Sequence, residues 1–192
     1  PAEELSLFEI SNNATVQLGE DAYLNLGCEV KLEDATFEPI GTASHGGIKV
    51  YGQGSSDPAN NRVVVTRCTF KYATNAIRAY QNYGGERIKV SHCTFESCKK
   101  AVYVYDKGAY IYANNFNSYI TNISTDMAAN FFNIESNKIT TKFIGPSIKI
   151  MGQAGTKSII ANNVIHDNVI PAQISRAHAY FKCNAVFNNA SS

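Results

Sequence analysis

An all-β fold, wound as a right-handed parallel β-helix of about seven to eight rungs, is predicted by three features of this chain. They are a recurring short pattern, columns of like residues, and strand-type alternation between the columns. The pattern reads LEDATF (32–37), VTRCTF (65–70), VSHCTF (90–95), IYANNF (111–116), IESNKI (134–139), IANNVI (160–165) and FKCNAVF (181–187). Each copy has an apolar residue, two variable residues, then Asn, Cys or Ala, one more residue, and a large apolar residue. The fourth positions are Ala35, Cys68, Cys93, Asn114, Asn137, Asn163 and Asn184, separated by 33, 25, 21, 23, 26 and 21 residues. A period in the twenties combined with alternation is the mark of a solenoid, in which each repeat buries its apolar face only against its neighbours.

Within each rung the first strand brings Leu32, Val65, Val90, Ile111, Ile134, Ile160 and Phe181 into one interior column. The fourth position follows, where the chain must bend. Asn tolerates left-handed backbone there, and its amide can bond the amide of the next rung in a ladder. Cys68 and Cys93 occupy the same column, as free buried thiols in preference to a disulfide. The second strand supplies Phe37, Phe70, Phe95, Phe116, Ile139, Ile165 and Val186. A third strand, GGIKVYG (46–52), AIRAYQ (76–81), AVYVYD (101–106), SIKIMG (147–152) and AQISR (172–176), supplies Ile48, Ile77, Val102, Ile123, Ile148 and Ile174. One domain over 1–192 accounts for the whole length, with 1–21 as an N-terminal cap or first rung.

These repeats resemble the pectate-lyase-like superfamily of right-handed parallel β-helix proteins, over roughly residues 22–187. The run LGCEVKLEDATFEPIGTASHGGIKVYG (26–52) is similar to β-helix domains of bacterial secreted or surface proteins, which place a Gly-Ile pair after a loop. The resemblance implies the fold. It leaves function open, since the superfamily holds lyases, hydrolases, epimerases, tailspikes and adhesins. It implies an extracellular or cell-surface location, and for a lyase a Ca²⁺ ion that neutralises a uronate.

A solenoid interior is packed, so chemistry belongs to outward residues. On the third strand these are Lys49, Arg78, Tyr103, Asn122 and Lys149, with Tyr51, Tyr80, Tyr105 and Met151 two residues further on. Aromatic faces stack on sugar rings, and Lys or Arg bind carboxylates or sulfates. A polysaccharide lying along Lys49, Tyr51, Arg78, Tyr80, Tyr103, Tyr105 and Lys149 is the expected partner of a non-catalytic module. The competing readings are a polysaccharide lyase or hydrolase, and a rigid spacer in a surface protein or fibre. For an enzyme, His166, Asp167, Arg78 and Lys149 are the acid/base candidates. Asp57, Asp106 and Asp126 are scattered, and the four histidines lie on different rungs, so no resident metal is expected.

A net charge of +1 gives no global field for nucleic acid. No apolar run nears the roughly 18 residues of a membrane span, so no membrane insertion is expected. The chain starts at Pro1 and stops just after its last repeat. A longer parent protein is therefore expected, or a second protomer at the C-terminal end.

Overall fold

The structure is a computed structural model that describes residues 7–27, 29–51, 63–80, 88–105, 108–128, 132–141, 145–152 and 157–189. Among them are 23 strands and no helix, hence no helix long and apolar enough to cross a membrane. The strands form three parallel sheets of eight, eight and seven. Each coil adds one strand to sheet 1, one to sheet 2 and one to sheet 3, in that order, except that the last described coil has none in sheet 3. Leu7–Ile10, Thr15–Leu18 and Tyr23–Leu26 form the first coil of the described residues.

Period-2 alternation sets the inside and the outside of every strand. In Val63–Thr66 and Ile88–Ser91, Val63, Val65, Ile88 and Val90 are buried while the residues between them face out. The first interior column runs unbroken from Leu32 through Val65, Val90, Ile111, Ile134 and Ile160 to Phe181. In the second, Phe37, Phe70, Phe95 and Phe116 stack with ring centroids 4.8, 5.3 and 4.8 Å apart and planes within 6°. That distance is the strand spacing of a sheet, so the rings repeat in step with the backbone. The third column departs from the sequence reading at its last step. Ile148 pairs with Ala172, and Ile174 pairs with Ile150, two residues along.

The corner between sheets 1 and 2 holds the asparagine ladder. Asn114 donates its Nδ2 to the Val90 carbonyl (3.0 Å) and to Asn137 Oδ1 (3.0 Å). Asn137 does the same to Ile111 O and Asn163 Oδ1, and Asn163 to Ile134 O and Asn184 Oδ1. Each Oδ1 also accepts the backbone N–H of the ladder residue one coil earlier, at 2.9–3.0 Å. The left-handed residue is the one before the ladder, a correction to the expected geometry. Asp34, Arg67, His92, Ala113, Ser136, Asn162 and Cys183 have φ between 50 and 58°. The Asn is thus placed for its inward hydrogen bonds, and its predecessor takes the turn.

Cys68 and Cys93 are free and buried in this column, their thiols donating to the Thr66 carbonyl (3.4 Å) and the Ser91 carbonyl (3.3 Å). Cys98 lies at the next corner with its thiol pushed up to about 12, chiefly by burial. A second polar run, unforeseen from sequence, lines that corner. Asn122 donates to Thr140 O and Thr141 Oγ1, Thr141 bonds Ser147, Ser147 donates to Asn168, and Asn168 donates to Asn189.

His45 gives the interior a pH dependence. It is fully buried, its Nε2–H donates to the Lys71 carbonyl at 3.0 Å, and its Nδ1 has no partner. Burial holds its pKa below the ordinary 6.5. The unfolded chain therefore takes up a proton that the folded chain refuses, and stability falls as pH drops below the unfolded value. Urea unfolding at pH 7 and pH 5 should show this loss in the wild type and a reduced loss in His45→Gln. Equal pH dependence in both proteins would contradict the assignment.

Candidate functional site

The outward rows of sheet 3 carry the site. Its strands here are His45–Tyr51, Ala73–Tyr80, Lys100–Tyr105, Thr121–Ala128 and Pro146–Gly152. Cα pairing aligns Lys49, Arg78, Tyr103, Ser124, Lys149 and Gln173 in one row. Tyr51, Tyr80, Tyr105 and Asp126 form the row beside it. Seven expected binding residues, Lys49, Tyr51, Arg78, Tyr80, Tyr103, Tyr105 and Lys149, therefore share one face. Asn122 does not. It is fully buried, and Ser124 stands in the outward row instead.

The stripe is largely engaged with itself. The Tyr51 and Tyr80 rings stack at 5.2 Å, and Tyr80 meets Tyr105 at 6.3 Å. Arg78 lies over Tyr80 (4.7 Å) and reaches Tyr103 (5.3 Å), while the Lys49 ammonium sits 3.5 Å from the Tyr23 ring centre. These cation–π contacts fix the side chains and cover ring faces that a sugar would otherwise use. Burial raises the pKa of Tyr80, and burial together with the nearby Asp126 raises that of Tyr103, so both phenols stay neutral donors.

Beyond Tyr103 the row drops. Ser124 is small where its neighbours are long, and a cleft of about 490 Å³ opens over it. Arg78, Lys100, Tyr103, Ser124, Asp126 and Lys149 line it. Its far rim is Gly145, where a Cβ would come within 2.3 Å of the Ile120 carbonyl, so only glycine lets the rim close so tightly on the coil before it. Ion pairs of the described residues lie elsewhere, at Lys31–Glu9, Lys31–Glu33, Arg67–Glu33, Arg67–Asp34, Lys71–Glu38 and His166–Asp167. The three cleft cations thus lack a carboxylate partner among the described residues. Lys100, Ser124 and Asn75 were not foreseen as site residues. Lys100 pairs with Asn75 one coil away, three residues before Tyr103 and Arg78, so strict alternation lands on the buried Ala101 and Ala76 instead and misses this row.

His166 and Asp167 form a contact of their own, Nδ1 to Oδ2 at 2.6 Å. They belong to sheet 2 and the turn after it, and His166 stacks on Phe187 at 5.3 Å. The structure therefore does not bring them to Arg78 and Lys149 in the cleft on sheet 3. Among the described residues no three His, Cys, Asp or Glu side chains gather as a metal site. Asp57 and Asp106 lie outside the described residues, as do the loop segments 52–62, 81–87 and 153–156.

No curated protein and no solved structure matches the chain. The right-handed β-helix region family matches residues 6–122, more than half of its length. With three parallel sheets wound coil upon coil, the chain belongs to the right-handed β-helix family.

Proposed function

We propose that this chain is a non-catalytic binding module for an acidic glycan, acting outside the cell or at its surface. The observation that carries the reading is the charge of the cleft: three cations, Arg78, Lys100 and Lys149, line it with a single carboxylate, Asp126. Guanidinium and ammonium groups without a carboxylate partner suit carboxylate or sulfate, and the neutral Tyr103 phenol suits a sugar hydroxyl. The hydrogen bonds of Asn122, Thr141 and Ser147 at the adjoining corner hold these strands in place, which lowers the ordering cost of binding.

The test is a glycan array carrying uronate-rich, sulfated and neutral polymers, followed by titration of the hits. Arg78→Ala/Lys149→Ala should weaken binding of acidic glycans by about tenfold or more, from the loss of two charge-assisted contacts. His166→Ala should leave it unchanged. Release of an unsaturated sugar, seen by its ultraviolet absorbance, would replace the module with a lyase. Absence of any glycan binding would leave the spacer reading.

A further inference from the structure

Three groups on residues lining the cleft, Ser124 Oγ, Thr125 Oγ1 and Arg78 Nε, have no hydrogen-bond partner among the described residues. Ser124 is 6 % exposed, and its Oγ is shielded from water without a partner. Arg78 Nε is in the same condition on the other side of Tyr103. Buried polar groups are nearly always paired, so the Ser124 hydroxyl at the floor of the cleft suits an acceptor-rich group from outside the chain. The cations at Lys100 and Lys149 give that group its charge. Asp126 is the one acidic side chain of the lining, and a carboxylate there suits a hydroxyl or amine on the same ligand.

The shape limits the ligand further. The notch spans the two strand steps from Tyr103 to Lys149, about 9.6 Å at about 4.8 Å per step. A polymer running along the solenoid axis would have to climb over Tyr103 or Lys149 to touch the Ser124 floor. We infer that the cleft is a pocket for a single acidic sugar unit, a chain end or a side branch, and that Ser124 is its specificity-determining residue. The anion sits above Ser124 between the cations, with Asp126 taking a donor of the same ring. This inference rests on the acidic-glycan reading and narrows it from a long stripe to one unit.

The experiment is calorimetric titration of the full chain with glucuronic acid, glucosamine 6-sulfate and glucose, and competition of each against chondroitin sulfate. One of the two acidic sugars should bind and displace the polymer, identifying carboxylate or sulfate as the anion, while glucose should not. Ser124→Leu fills the notch without changing charge and should weaken that binding about tenfold or more. Tyr112→Ala, on sheet 1 and away from the cleft, should stay within about twofold of wild type. Lys149→Glu, with its fold checked by melting, gives the same test should the leucine disturb the strand. Polymer binding that neither acidic sugar displaces, and that Ser124→Leu and Lys149→Glu leave intact, would overturn the single-unit pocket while keeping the glycan reading. Failure of chondroitin sulfate and of both acidic sugars to bind would overturn both.

Discussion

Gly47→Ala is expected to cost at least about 3 kcal/mol, a fall of roughly 10 °C in melting temperature for a chain of this size. Gly47 has φ of 110°, a region that side chains rarely adopt, and a Cβ built there would lie 1.9 Å from the Asn75 carbonyl oxygen. Backbone of the next coil fills that space, so no rotamer change relieves the clash. The position is also the register shift between two sheet 3 strands, at Gly47/Ile48. Moving Asn75 would displace Arg78 three residues on, so glycan affinity should fall together with stability. Gly19 is the control. Nothing lies within 4 Å of a Cβ there, and Gly19→Ala should stay within about 0.5 kcal/mol of wild type. A melting temperature for Gly47→Ala equal to that of Gly19→Ala would sink the argument.

Asn137→Ala should cost about 3–5 kcal/mol, because it strips several buried groups of their partners at once. The backbone N and Nδ2 of Asn114 lose their acceptor, and Ile111 O and Asn163 Oδ1 lose a donor. Asn137→Cys places in the ladder the residue already present at Cys68 and Cys93. A thiol still donates to a strand carbonyl, as Cys93 does to Val65 O at 3.6 Å, so this variant should recover part of the loss. Denaturant titration of the three proteins gives the order wild type, Cys, Ala. An alanine variant as stable as wild type would show that the ladder contributes nothing net.

The interior was legible in the sequence wherever side chains were large and inward. All the Phe and Ile pairs of the first two columns follow the repeat, because stacking of like residues on a fixed strand spacing allows little else. Ala172 fills the inward position beside Ile148 but is too small to announce itself next to Ile174. Asn122 falls at an expected outward position of the third strand. Its amide instead finds Thr140 and Thr141 inside the corner. The site was legible as a row but not as a cavity. Lys49, Arg78, Tyr103 and Lys149 were placed correctly, yet the feature that shapes the cleft is the small Ser124 between two long side chains. A hollow is made by what a residue lacks, and a search for aromatic and charged types passes over it.

The regular spacing of the ladder makes length a separable variable. Removing residues 93–113 would join His92 to Asn114, put Asn114 in the place of Cys93, and leave both flanking columns in phase, because their Cα partners are one coil apart throughout. Such an excision shortens the rod by one layer while the remaining layers keep their neighbours. It also deletes Lys100 and Tyr103, and with them one wall of the cleft. Duplication and loss of coils can thus reset the reach of this protein freely. A recognition pocket persists only where one particular succession of coils is kept, so the scaffold is modular and the binding address written on it is not.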